Sequence, residues 1–223
     1  YTVQWKVVSG ELHGFLFEGL DKLRMGGFSR DSYALDSRGN RYGLEFSPER
    51  NGYVVLLANG AGVASGTVTY VFWFPTDFAK AGYLAPTVTD KGEARRVFHW
   101  APNEWDEAPR QDHYTLKVLL PHAVPPGEDP RAYVVKNGLI LTERRMNERY
   151  KLDYQRGPND RLRFVVHMDR PPNNYHFESQ FYLPAGWFTA GGAPVPFAPS
   201  SGPPGVAWFV LAALGVFVLF LLV

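Results

Sequence analysis

Apolar and polar residues alternate with a period of two in several short segments of the chain. In the first of them, Val3, Trp5 and Val7 share one side of an extended backbone. Because successive side chains of a strand point to opposite faces of the sheet, this pattern predicts half-buried β-strands. Six further segments have the same period or a β-rich composition: GTVTYVFWF, HYTLKVLLP, RAYVV, GLILT, RLRFVVHM and YHFESQFYLP.

Turn-forming residues separate these segments. Glycine, proline, asparagine and aspartate cluster at residues 37–40, 51–52, 59–60, 125–127, 137–138 and 157–160. Many short strands at close spacing, without an amphipathic helical pattern between them, are typical of antiparallel all-β domains. We therefore predict an antiparallel β-sandwich domain over residues 1–184.

The last 18 residues, 206–223, carry no charged or strongly polar side chain. A helix of this length rises about 27 Å, close to the ~30 Å thickness of the hydrocarbon layer of a bilayer. A buried helix of a soluble domain usually keeps a polar stripe, which this run lacks. The sequence therefore predicts one transmembrane helix over residues 206–223.

Residues 185–205 join the predicted domain to the predicted helix. They are rich in proline and glycine and carry no charge, which predicts a semi-extended tether. Aromatic rings near a membrane helix usually lie at the headgroup level. We therefore expect contacts with the bilayer or with a neighbouring subunit along this segment and the start of the helix. The residues concerned are Trp187, Phe188, Phe197, Trp208, Phe209 and Gly215.

The charge and cysteine content narrow the classes of function. The chain has 23 Lys and Arg against 22 Asp and Glu, so it offers no strong field to attract nucleic acid. It has no cysteine, which excludes thiol catalysis, disulfides and cysteine-ligated zinc. We expect no nucleic-acid partner.

The orientation in the membrane rests on weak signals. No Lys or Arg lies close to either end of the predicted helix, and the last cation before it is Arg170. The positive-inside rule, which compares the numbers of Lys and Arg on the two sides of a membrane helix, therefore assigns no orientation. A chain that begins at Tyr1 is what removal of a signal peptide would leave, which predicts a single-pass protein of the bacterial inner membrane with a periplasmic domain. A tail-anchored cytosolic protein is the competing interpretation.

Two motifs that suggest chemistry lack the context that the chemistry needs. The glycines of ANGAGVASG, residues 58–66, follow an apolar run as in a dinucleotide-binding fingerprint. That fingerprint requires a helix to follow, whereas TVTYVFWF predicts a strand, so we interpret the segment as a hairpin turn. The six histidines form no tight ligand pair, and no G-x-S-x-G motif is present. The sequence predicts no catalytic residue, no metal site and no cofactor.

The densest group of potential site residues is FHWAPNEWDEAPRQDHY, residues 98–114. It connects two predicted strands. Its carboxylates suit calcium binding or glycoside hydrolysis in principle, but no calcium-loop register is present and the separation of the acids is not fixed by the sequence. The plainer interpretation is a solvated loop whose tryptophans cover an edge of the core. The residues of this polar interaction loop are Trp100, Glu104, Trp105, Asp106 and Glu107.

A cationic segment, residues 142–163, is the other charged feature. Seven Lys and Arg interleave with four Asp and Glu over this range. Cross-strand ion pairs on a solvated hairpin face explain such a pattern. A docking surface for anionic lipid headgroups or an acidic partner is the alternative.

The order VTYVFWF, FHWAP-x-EWDE and HYTLKVLLP, followed by strands, a Pro/Gly-rich segment and an apolar run, resembles a family. It is that of uncharacterised bacterial membrane proteins with an extracytoplasmic DUF2207-type β-sandwich. The residues that carry the resemblance are Trp100, Pro102, Trp105, Asp106 and Tyr114. The resemblance implies an extracytoplasmic sandwich and a membrane helix, and no catalytic residue. This chain lacks the basic or glycine-rich cytoplasmic tail often found in that family.

These observations favour a non-enzymatic accessory or assembly subunit that packs its β domain and helix against other subunits of a bacterial membrane complex. A respiratory or photosynthetic complex is one candidate host. An envelope glycan-binding module that uses exposed aromatic rings is the first alternative. A hydrolase built on the acidic residues of the 104–112 loop is the second.

Overall fold

The computed structural model describes residues 1–18, 27–49, 52–101, 110–172 and 175–196. These residues form mainly antiparallel strands with two short α-helices, so the predicted all-β class is confirmed. The strands are β1 Thr2–Val7, β2 Gly14–Glu18, β3 Tyr33–Asp36, β4 Arg41–Glu49, β5 Gly52–Leu57, β6 Gly66–Val71, β7 Leu84–Val88, β8 Ala94–Trp100, β9 His113–Ala123, β10 Leu141–Thr142, β11 Lys151–Arg156, β12 Arg161–Asp169 and β13 Ser179–Pro184. The helices are α1 Pro130–Lys136 and α2 Arg144–Arg149.

The chain divides into two compact units, where the sequence predicted a single domain over residues 1–184. Unit 1 comprises Tyr1–Tyr114 and Asp169–Tyr182. Unit 2 comprises Thr115–Met168 and Leu183–Val223. The unit boundaries fall within β9, β12 and β13.

Unit 1 contains a six-stranded sheet in the order β1-β6-β3-β4-β5-β2. The sheet coils, so that rings from its two edge strands meet on its inner face: the centroids of Trp5 and Phe15 are 6.0 Å apart. Tyr1, next to β1, lies 4.8 Å from Phe17 of β2 in the same way. Strands β13, β8 and β7 form a second sheet in this unit. Tyr1 also contacts Trp100 of β8, with centroids 6.3 Å apart, so both sheets share one aromatic core.

The alternation in the sequence correctly identified the inner face of β6. Val68, Tyr70 and the following Phe72 are fully buried. Burial has a cost here, because the Tyr70 hydroxyl has no hydrogen-bond partner among the described residues. An unsatisfied buried hydroxyl costs about 1–3 kcal/mol. Burial also raises the pKa of Tyr70 to about 12.

The predicted hairpin at residues 58–66 is wrong, although a strand does follow the glycines as expected. β5 pairs with β4 and β2, while β6 pairs with β1 and β3. The connection therefore crosses the sheet instead of joining neighbouring strands. It begins with a 3₁₀ turn at Ala58–Gly60 and is fixed by an antiparallel bridge between Leu12 and Val63.

The predicted turn at residues 37–40 is confirmed, and Asp36 organises it. Its carboxylate accepts hydrogen bonds from the backbone N–H groups of Arg38 and Asn40, at 2.8 and 2.9 Å. The Asn40 side-chain amide and the Tyr42 hydroxyl donate to the other oxygen. These hydrogen bonds, above all that from the Asn40 side chain, hold the pKa of Asp36 well below its usual value.

Unit 2 is built on the sheet β11-β12-β9. β11 and β12 pair in antiparallel register from Lys151↔His167 to Arg156↔Leu162, as the predicted hairpin requires. The prediction of a strand at RAYVV is wrong, because this run lies in α1. The Asp129 side chain caps that helix by accepting from the Ala132 N–H at 2.8 Å, and Pro130 occupies its first turn. Both are helix-start signals, and here they outweigh the β propensity of tyrosine and valine.

No helix within the described ranges is long and apolar enough to cross a membrane. The run predicted to do so, residues 206–223, lies outside those ranges.

Candidate functional site

The segment of residues 98–114, the densest group of potential site residues in the sequence, begins in the core of unit 1. Phe98 and Trp100 are 8% and 7% exposed. Both rings contact Phe78, with centroids 5.3 and 5.4 Å away. The Trp100 carbonyl accepts a hydrogen bond from the buried Ser179 hydroxyl at 2.8 Å. Trp100 is therefore a core residue of β8.

The four other residues predicted in this loop, Glu104, Trp105, Asp106 and Glu107, lie outside the described ranges. The far end of the loop is anchored in unit 1. Tyr114 stacks on Phe177 with centroids 4.5 Å apart. The Asp112 carbonyl oxygen accepts from the Arg170 N–H at 2.8 Å.

A histidine and a carboxylate that were not predicted to be neighbours lie within hydrogen-bonding distance of each other in unit 1. His99 Nε2 lies 2.9 Å from Glu178 Oε1, and their side chains are 50% and 27% exposed. No local pattern predicts this pair, because its members lie 79 positions apart in the sequence.

The other histidines with described side-chain contacts serve different local structures. His13 pairs with Glu11 at 3.6 Å and donates from Nδ1 to the Ala61 carbonyl at 3.0 Å. His167 Nδ1 lies 2.7 Å from the Thr115 hydroxyl. Within the described ranges, no three His, Asp or Glu side chains converge as a metal site would require.

The cationic segment of unit 2 includes arginines that bind backbone carbonyls. Arg156 donates to the carbonyls of Val124, Pro125 and Glu128 at 2.7–3.0 Å, and to the Asp160 carboxylate at 3.0 Å. It therefore closes the loop between β9 and α1.

Two further arginines act in a similar way. Arg161 donates to the carbonyls of Leu119 and Leu120. Arg131 donates to the Leu152 carbonyl at 2.7 Å. Arg144, by contrast, is 91% exposed and pairs only locally with Glu148. Arg131, Arg156 and Arg161 bind backbone carbonyls of unit 2, so fewer cations of this unit are available to bind lipid headgroups.

Of the predicted bilayer or partner contacts, only Trp187 and Phe188 are described. Trp187 is 9% exposed. Its ring stacks on His122 with centroids 4.6 Å apart. Phe188 forms an antiparallel bridge with Pro194, so residues 185–196 fold back on themselves, and Trp187 packs within unit 2. The remaining predicted contacts, at Phe197, Trp208, Phe209 and Gly215, lie outside the described ranges.

A shallow groove runs along strand β2 on the outer face of unit 1. We call it the β2 groove, and its described lining is Glu11, Leu12, His13, Gly14, Phe15, Leu16, Glu18, Glu49, Val54 and Leu56. Its floor is aliphatic and its ends are acidic. Sequence reasoning missed it, because its residues come from three strands whose order in the sheet is not predictable from the alternation alone.

The sheet register places the outward residues of β4, β5 and β2 in three rows. In the first row, Glu45 lies opposite Leu56, which lies opposite Gly14. The second and third rows are Ser47–Val54–Leu16 and Glu49–Gly52–Glu18. An apolar centre of Leu56, Val54 and Leu16 is therefore bordered by carboxylates.

Searches for similar proteins gave no match to any protein-family model, any curated protein or any solved structure. The candidate site therefore rests on this chain's own geometry.

Proposed function

We propose that this protein is a non-enzymatic accessory or assembly subunit of a larger bacterial membrane complex. In this proposal the described units form an extracytoplasmic β-sandwich region, and residues 206–223 form a single membrane helix. The partners are the bilayer and other subunits, and a respiratory or photosynthetic complex is one candidate host. No cofactor is part of the proposal.

The packing of Trp187 is the observation that carries this proposal. Because Trp187 and residues 188–196 pack within unit 2, only the nine residues 197–205 lie in the sequence between the described chain and the apolar run. An extended chain spans at most ~3.6 Å per residue, which limits unit 2 to within roughly 35 Å of the start of that run. A domain held this close to the bilayer is suited to packing against membrane neighbours.

The apolar run supplies the second support. No charged residue lies between Glu178 and the start of the run to fix the depth of that end, so a helix formed by it would be positioned mainly by its neighbours. This is the behaviour expected of a helix within a complex.

Mild-detergent extraction from the native membrane, followed by size separation and mass spectrometry, tests the proposal. We expect this chain to migrate in fixed stoichiometry with a set of larger subunits. Migration of the solubilised chain alone, as a stable monomer, contradicts the proposal.

A matched pair of variants tests the anchor separately. L214K/V216K places two charges in the middle of the run, at a cost of about 2.5–3.5 kcal/mol each for a membrane helix. We expect this variant to be released by alkaline carbonate, while S200K/S201K, with the same added charge outside the run, stays in the membrane fraction. Equal release of both variants contradicts a membrane helix.

A further inference from the structure

The geometry points to the β2 groove as a docking site for an extended, cationic and amphipathic segment of a partner protein, which adds as a strand to the free edge of β2. The inference rests on the proposed function in one respect, since a subunit role supplies the partner. Its physical basis lies in unit 1 alone.

The free edge of β2 is the first part of the argument. β2 pairs with β5 on one side. Its other edge carries the Leu12–Val63 bridge just before β2 begins, and from Gly14 to Glu18 β2 is the last strand of its sheet within the described ranges. The Leu57 N–H donates to the His13 carbonyl at 2.8 Å, so His13 faces β5. Hydrogen-bonding direction alternates along an antiparallel strand, so the backbone groups of Gly14, Leu16 and Glu18 point away from β5. These groups offer an incoming strand a hydrogen-bonding ladder.

The side chains beside that edge decide what kind of strand fits. Leu16, Val54 and Leu56 are half-buried and form the aliphatic floor. A strand added to β2 would extend this floor by one column. Gly14 has no side chain, and a Cβ atom there would collide with the Val55 carbonyl and with Leu56, so Leu56 forms the floor at that position. The two central outward residues of the partner are therefore apolar.

The ends of the groove select cations. Glu18 and Glu49 lie on either side of Gly52, separated by two strand spacings or about 10 Å of backbone. Neither carboxylate has an ion-pair partner among the described residues, and the described lining of the groove contains no Lys or Arg. A lysine or arginine of the added strand opposite Glu18 would pair with that carboxylate and extend over β2 toward Glu49. Glu11 and Glu45 supply negative charge at the opposite end.

Gly52 is required for this arrangement. A Cβ atom at this position would collide with the backbone carbonyl of Phe17. The backbones of β2 and β5 therefore approach closely between the two glutamates, and no larger residue can replace Gly52 without moving β2.

The test uses the purified full chain in mild detergent and a fluorescent peptide, Lys-Thr-Val-Thr-Val-Thr-Lys. On an extended backbone this peptide presents two valines flanked by two lysines on one face. We expect saturable binding by fluorescence anisotropy at low salt, weakened as the salt concentration rises. A peptide with glutamate in place of both lysines should bind at least tenfold more weakly.

Two matched comparisons separate strand addition from general charge attraction. E18K/E49K should weaken binding about tenfold or more, while D31K/D90K, which makes the same charge change at exposed positions of unit 1 outside the groove lining, should leave it within about twofold. N-methylation of the two valines blocks their backbone donors, and we expect it to weaken binding about tenfold. Equal loss in both protein variants, or full binding by the N-methylated peptide, overturns the proposal.

A second copy of this chain is the competing occupant. Self-association that E18K/E49K abolishes would assign the groove to that copy and overturn the proposal. Peptide binding without co-migration of other subunits from the native membrane would contradict the proposed function and leave the groove's specificity established. Co-migration without peptide binding would support the proposed function and contradict the docking site in the groove.

Discussion

The indole ring of Trp187 lies nearly parallel to the imidazole ring of His122, with centroids 4.6 Å apart and planes inclined by 16°. The Tyr133 hydroxyl contacts the same imidazole at Nε2, 3.2 Å away. His122 therefore joins β9, α1 and the segment that follows β13. This junction connects the fold of unit 2 to the chain that leads toward the apolar run.

The His122 junction predicts a pH-dependent stability of unit 2. Burial lowers the pKa of His122 below its usual 6.5, so the folded state binds fewer protons than the unfolded state in this range. The free energy of unfolding should therefore fall as the pH drops below 6.5 toward the lower folded pKa. Thermal unfolding at several pH values between about 7 and 5 measures this decrease in stability. H122F keeps a stacking ring and should have a shallower slope of stability against pH. Equal slopes in the wild type and H122F contradict the prediction.

Two arginines of the cationic segment should differ greatly in their importance for stability. R156A removes four hydrogen bonds and leaves the carbonyls of Val124 and Pro125 without their donor. We expect a loss of about 2–3 kcal/mol in the free energy of unfolding, with little rescue by R156K because lysine cannot match the planar guanidinium.

R144A is the matched control in the same segment. Its exposed pair with Glu148 is worth at most ~0.5 kcal/mol. Urea denaturation followed by circular dichroism measures both variants. Similar losses in R144A and R156A would show that the carbonyl contacts of Arg156 contribute little.

The turn between β3 and β4 should depend on the charge of Asp36. Because hydrogen bonds, chiefly from the Asn40 side chain, keep its pKa below the usual 3.8, the stabilisation is present above that pH and is lost as the pH falls further. D36N should lower the melting temperature by several degrees at neutral pH and narrow the difference from the wild type in acid. D90N, at an exposed position, is the control. A constant difference at all pH values would rule out the charge as the cause.

Substitution of Gly52 should be far more damaging than substitution of an open glycine. G52A forces a Cβ atom against the Phe17 carbonyl, and we expect a loss of about 2–3 kcal/mol through displacement of β2. Gly186 has no atom within 4 Å of the corresponding position, so G186A should change stability by less than about 0.5 kcal/mol. Equal melting temperatures for the two variants would show that β2 moves without cost.

Sequence reasoning was most successful where a local pattern is reinforced by burial. The period of two over Val3, Trp5 and Val7 matches the alternate burial in β1, because one face of that strand packs on the core. The same reasoning found β6, β9 and β12. It failed at RAYVV, where propensity favoured a strand and the Asp129 cap with Pro130 started a helix.

The candidate site was predictable only in part. Trp100 was singled out as a residue that covers the core, and the structure places it there. The partners that define its surroundings, Phe78 and Ser179, lie far away in the sequence. The β2 groove was not predicted, because its lining depends on which strands become neighbours.

The sequence by itself determined the β-rich class, the turn at residues 37–40, the lack of cysteine chemistry and the presence of an uncharged apolar run. These properties depend on the residue types and their local order. Only the tertiary structure decided that β5 and β6 are not neighbours, that Arg156 binds carbonyls, and that Glu18 and Glu49 flank Gly52. Each of these depends on strand order and register, which are set by the packing of distant residues, so the pattern of a single segment cannot specify them.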